Sequence, residues 1–84
     1  MSNVRDKEYV IAFGKNLARV RSEKGLTQQE LAYISDIERT QISRIERGEV
    51  NCTISMVKVL GKALNIHPST LLIFEFDETV TNSI

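Results

Sequence analysis

The stretch Thr27 to Gly48, TQQELAYISDIERTQISRIERG, constrains this chain more than any other. Thr27 is followed three positions later by Glu30. That spacing predicts a capping box: the Thr hydroxyl takes the amide of the third helical residue, and the Glu reaches back to the cap amide. Leu31, Ala32 and Ile34 supply an apolar face, and the helix is expected to stop near Ser35. Asp36 is a residue type that tolerates turn conformations, and Ile37 is expected to plug the turn into the core. A second helix then runs from about Arg39 to Arg47, with Ile42 and Ile45, three apart, facing inward. Gly48 falls where a left-handed C-terminal cap is wanted.

The second helix leaves a polar set outside: Arg39, Thr40, Gln41, Ser43, Arg44 and Arg47. Two short helices, the second presenting Arg, Thr and Gln from its first turn, form the helix-turn-helix pattern. A helix fits the major groove of duplex DNA, and side chains on its exposed N-terminal half reach base edges. Arg39, Thr40, Gln41 and Arg44 are the candidate base contacts. The Arg39 guanidinium can donate two bonds to guanine O6 and N7, a contact of about 1–3 kcal/mol in discrimination. Thr40 can meet a thymine methyl or a base edge. Gln41 suits adenine, or a neighbouring phosphate. Arg44, one turn beyond Thr40, reaches another base or the backbone. Gln29, Ser43, Arg47 and Asn51 are candidates for phosphate contacts, which set the register without reading sequence.

The flanks supply the rest of an all-α domain. Met1 to Arg5 is expected to fray. Val10, Phe13, Leu17 and Val20 recur at three- or four-residue spacing, so a first helix is predicted from about Asp6 to Glu23, with Ile11 able to join its stripe. Gly14 lies inside that helix and lowers its propensity, which points to close packing against a neighbour. Lys24 and Gly25 close it. Thr53 can cap a fourth helix, with Ile54, Val57, Leu60, Gly61 and Leu64 inward and Asn65 as its stop. Ile66 is expected to drop into the core. Pro68 suits the first turn of a fifth helix carrying Leu71, Leu72, Phe74 and Phe76. Leu71, Leu72, Ile73 and Phe74 are more than one helix face can bury in so small a core, so a two-fold dimer is the economical solution. Residues 77–84 read as a short acidic, loosely ordered tail to a single domain spanning 1–76.

Leu26 to Gly48 resembles the helix-turn-helix of the lambda-type phage repressor superfamily, also called the xenobiotic-response-element family. The portion LAYxSDIERTxISxIERG is most similar to the small controller proteins of bacterial restriction-modification systems. The likeness extends to FGKNLARVRSEKGLT before and VNCTISMVKVLGKALNIHPSTLLIFEF after, and so covers roughly Val10 to Phe76. It implies a compact four- or five-helix domain, here five with the helix-turn-helix at helices 2 and 3. It implies base contacts at Arg39, Thr40 and Arg44, and a phosphate gripped by Gln28 beside a helix N-terminus. It also implies an ion bridge between Arg21 and Glu46 tying helix 1 to the end of helix 3, and a dimer interface on helix 5 with parts of helix 4. Glu38 departs from the pattern, since the family often has Ser or Thr there and Glu is a poorer cap.

Composition limits the alternatives. Eighty-four residues make one domain near the lower limit for a self-sufficient core, which favours oligomerisation. Net charge is zero, awkward for a nucleic-acid binder, but its distribution is uneven. Residues 1–48 hold nine Lys and Arg against seven acids, and residues 49–84 hold two against four. A local basic face and modest non-specific affinity follow. One cysteine, Cys52, leaves no internal disulfide, and with His67 it makes neither a metal set nor a nucleophilic dyad. Gly14, Gly25, Gly48 and Gly61 are dispersed and build no phosphate loop. No apolar run is long enough to span a membrane. The expectation is a cytoplasmic, nucleoid-associated homodimer on double-stranded DNA, without catalysis, metal, cofactor or small-molecule ligand. It would regulate transcription from a near-palindromic operator, and a restriction-modification operon is the context the resemblance implies. The competing reading is an antitoxin-like or adaptor protein-interaction module with secondary DNA binding.

Overall fold

The computed structural model describes residues 6–76, so the expectations for Met1 to Arg5 and for the tail 77–84 lie outside the described residues. The described chain is helical: α1 (Lys7–Glu23), α2 (Gln28–Ser35), α3 (Arg39–Glu46), α4 (Ile54–Ala63) and a 3-10 turn (Pro68–Leu72). None of these helices is long and apolar enough to cross a membrane.

The helices α1, α2 and α4 each start where the sequence supplies a side-chain cap. The Asp6 side chain accepts from the Tyr9 amide at 3.0 Å and opens α1. Thr27 Oγ1 accepts from the Glu30 amide at 3.0 Å while the Thr27 amide donates to Glu30 Oε1 at 2.8 Å, which completes the capping box of α2. Thr53 Oγ1 accepts from the Met56 amide at 3.1 Å at the head of α4. The α2–α3 turn needs a left-handed residue, and Asp36 takes it at φ 60°. Beside it, Ser35 Oγ accepts from the Ile37 amide at 3.3 Å.

The core forms where the four α-helices and the 3-10 turn converge. Leu17, Leu31, Ile42, Ile45, Leu60, Leu64 and Leu71 are fully buried, and burying each such side chain contributes about 1.5–3 kcal/mol. The cost of Gly14 in α1 now has its reason. A Cβ there would sit 2.6 Å from the Glu46 carbonyl oxygen and strike the Ile45 oxygen as well. The α1 backbone therefore lies directly on the last turn of α3. Asn16, one turn of α1 further along, is buried and donates through Nδ2 to the Leu71 carbonyl at 2.9 Å, tying α1 to the 3-10 turn.

Four expectations are corrected. The fifth helix is a five-residue 3-10 turn, capped by His67 Nδ1 accepting from the Ser69 amide at 3.1 Å, and Ile73 already leaves it with extended backbone. Leu71 belongs to the monomer core and not to an exposed interface, because Asn16 draws its carbonyl, and the turn with it, against α1. Leu72 and Ile73 are exposed, and Phe74 is half-buried with its ring 5.2 Å from that of Tyr9. Phe76 stacks edge-on against the same Tyr9 ring. Ile54 does not face inward: it is the first residue of α4 and is 88% exposed. Ile34, expected on the apolar face of α2, is half exposed on the flank towards α4.

Candidate nucleic-acid interface

Burial of Ile42 and Ile45 fixes how α3 is rotated about its own axis. Successive residues turn by about 100°, so Thr40, Ser43, Arg44 and Arg47 lie opposite the buried pair, with Arg39 and Gln41 on the two flanks. Arg39, Thr40, Gln41, Arg44 and Arg47 are exposed and Ser43 is partly so. The structure thus brings the four expected base contacts and two of the expected phosphate contacts onto one outward surface.

These side chains differ in how they are held. Arg39 and Thr40 have no side-chain partner among the described residues. Gln41 leans towards α4, its Nε2 3.9 Å from Met56 Sδ. Arg47 donates from Nη1 to Ser43 Oγ at 2.7 Å and from Nε to Glu49 Oε2 at 2.7 Å. Arg44 Nε lies 3.7 Å from Glu49 Oε1. The hydrogen-bonded Glu49 raises the pKa of Arg47, and the Arg47 guanidinium holds the Glu49 carboxyl below its ordinary range. Glu38 occupies the cap of α3 without a side-chain bond to it, so the carboxylate closes none of the helix's first amides.

Behind this surface stands the ion pair the resemblance implied. Arg21 Nε donates to Glu46 Oε2 at 2.6 Å and Nη2 to Oε1 at 3.0 Å, a two-bond fork. Its third arm, Nη1, donates to the Leu26 carbonyl at 2.7 Å. The side chains are 17% and 6% exposed. Glu46, and the burial that opposes it less strongly, leave Arg21 with a raised pKa. The same carboxylate accepts from Gln28 Nε2 at 2.8 Å. One amide hydrogen and the carbonyl of Gln28 remain for another partner. Sequence reasoning missed this Gln28–Glu46 bond, and it missed Asn16 and Glu49 altogether. Only the spacing of Glu49 two residues beyond Arg47 could have signalled the last of these.

The remaining expected residues scatter. Gln29 is exposed on α2 beside Leu26, Tyr33 and Ile34. Asn51 is exposed at the rim of a hollow of about 250 Å³ shared with Tyr9, Phe13, Cys52 and Leu72. Burial pushes the Cys52 thiol up to about 11. His67 is engaged as the cap of the 3-10 turn. Among the described residues no three His, Cys, Asp or Glu group closely enough to hold a metal ion.

Comparison with known proteins agrees with this geometry. A family model described as helix-turn-helix matches residues 17–71. The control protein C.BamHI of Bacillus amyloliquefaciens is 37% identical over 65 residues, covering 76% of this chain and 80% of that one. Among solved structures, the restriction-modification controller protein C.AhdI from Aeromonas hydrophila superposes with a TM-score of 0.72 at 35% identity, covering 74% of this chain and 94% of that one. The controller protein C.Esp1396I, solved as a tetramer in complex with its natural 35 base-pair operator, superposes with a TM-score of 0.73 at 33% identity, covering 80% and 88%.

Proposed function

The chain belongs to the helix-turn-helix family of DNA-binding transcription regulators, and we propose that it is the controller protein of a restriction-modification operon. It binds a near-palindromic operator as a homodimer and lays one α3 in the major groove of each half-site. The observation that carries this reading is the rotation of α3: two buried isoleucines turn Thr40, Ser43, Arg44 and Arg47 outward together. Arg39 reads guanine, Thr40 and Arg44 read adjacent positions, and Gln41 meets a base edge or phosphate from its flank. Gln28, Gln29, Ser43, Arg47 and Asn51 hold the backbone. Two recognition helices about 34 Å apart, one turn of duplex, meet the two half-sites. Leu72 and Ile73, exposed beside half-buried Phe74, are the apolar surface available for the two-fold contact. The relatives named as control proteins support the operon assignment.

The same reading gives the chain no catalytic step and a place in the cytoplasm with the DNA. The engaged His67 and the neutral Cys52 thiol support a regulator over an enzyme.

Selection of binding sites from random duplex DNA tests the proposal. A split palindrome should emerge, and its guanine preference should relax with Arg39→Ala. Failure to enrich any two-fold site would overturn the proposal. An unchanged guanine preference would remove Arg39 as the reader.

A further inference from the structure

The outward surface of α3 carries its own competitor. Gly48 turns the chain at φ 73°, and the Glu49 amide donates back to the Arg44 carbonyl at 2.9 Å. This fold-back sets the Glu49 side chain beside the last turn of α3. Its carboxylate accepts two bonds from Arg47, Nε to Oε2 at 2.7 Å and Nη2 to Oε1 at 3.2 Å. Oε1 also lies 3.7 Å from Arg44 Nε. A guanidinium grips carboxylate and phosphate with the same planar fork. Glu49 therefore engages the two arginines much as a DNA phosphate would.

We infer that Glu49 is a resident phosphate surrogate, which occupies Arg44 and Arg47 in the free protein and lowers the affinity of α3 for duplex DNA. The inference rests on the reading of α3 as the DNA-facing helix. Both arginines and Glu49 are about half exposed, so a phosphate can reach the pair and displace the carboxylate. Docking then releases a bound acid, not only water and small ions. Arg47 faces the backbone and not a base, so the competition acts on affinity more than on base preference. The uneven but balanced charge of the chain fits this arrangement, since two of the three arginines on or next to α3 share one nearby acid.

Glu49→Gln keeps the shape and removes the charge. Binding is measured by fluorescence anisotropy with a random-sequence duplex and with a duplex enriched by selection, from about 50 to about 200 mM salt. Circular dichroism checks that the variant is folded. The variant should bind both duplexes about threefold to tenfold more tightly and by similar factors, the scale of an exposed charge contact. Its log–log salt slope should steepen by about one, for the Arg47 guanidinium freed for phosphate. In an Arg44→Ala/Arg47→Ala background the same change should shift affinity by less than about twofold, because its partners are gone. Glu75→Gln, which removes an equal charge with no α3 partner, should do as little. Weaker binding by Glu49→Gln would overturn the inference, since it would mean that the carboxylate aims Arg47 at the backbone. An effect matched by Glu75→Gln, or unchanged without the two arginines, would also overturn it. A wild-type protein that binds neither duplex would refute the DNA reading itself.

Discussion

Arg21→Ala separates the residues that hold α3 from those that read with it. Truncation removes three donors at once: two to Glu46 and one to the Leu26 carbonyl. Glu46 is left 6% exposed with Gln28 as its remaining side-chain partner. Breaking a fully buried pair on one side costs about 3–5 kcal/mol, and the slight exposure of Arg21 lowers the expectation here to about 2–4 kcal/mol. A domain of this length has a total stability of about 4–13 kcal/mol, so the loss is a large share of it. The melting temperature should fall by roughly 10–25 °C. Arg39→Ala removes an exposed side chain with no described partner and should stay within about 0.5 kcal/mol of wild type. Urea unfolding followed by far-ultraviolet circular dichroism gives both stabilities, and anisotropy on an enriched duplex gives both affinities. Arg21→Ala should lower stability and affinity together, and Arg39→Ala affinity alone. The double variant Arg21→Ala/Glu46→Ala should lose less than the sum of the single variants, because the orphaned buried carboxylate goes with its partner. Equal thermal losses in Arg21→Ala and Arg39→Ala would refute the division of labour.

Two further perturbations probe the frame and the lone thiol. Gly14→Ala should destabilise by about 1–3 kcal/mol in urea despite the better helix propensity of Ala, because the new methyl meets α3 backbone that cannot rotate away; a stabilised variant would refute the close crossing of α1 and α3. Cys52, held at about 11 against an ordinary 9.0, should react with iodoacetamide at pH 8 roughly 100-fold more slowly than in the urea-unfolded chain. Its folded pKa is the higher one, so the stability it contributes is intact below pH 9 and drains away as pH rises towards 11. Equal alkylation rates in the two states would show that the thiol is not buried as described.

What could be read in the sequence was what depends on neighbours a few residues apart. The capping box at Thr27 and Glu30, the left-handed Asp36, and Gly25 and Gly48 are closed within one or two turns, and all take their expected geometry. The inward Ile42 and Ile45 follow from helical spacing alone. The fifth helix failed because a continuous apolar run has no period: Leu71 to Phe74 announces burial without saying which residue is buried or where the helix stops. The answer comes from across the chain, where Asn16 takes the Leu71 carbonyl from 55 residues away. Ile54 failed for a related reason. Periodicity assigns a face to every turn, but it does not say whether any neighbour covers the first residue of α4, and Ile54 there is exposed.

The candidate interface divides along the same line. Its composition is local and legible, because an outward stripe on α3 needs only the position of the two isoleucines. Its charge pairing is not, because Arg44 and Arg47 share Glu49, an acid that no helical period relates to them. Glu46 makes the point most fully. One carboxylate is gripped by Arg21 of α1 and by Gln28 at the head of α2, while the residue itself closes α3. The residue expected to grip phosphate is therefore oriented by the same group that locks α3 against α1. A change at Arg21 should loosen Gln28 without touching it, which is why stability and affinity are expected to fall together in that variant and to part company at Arg39.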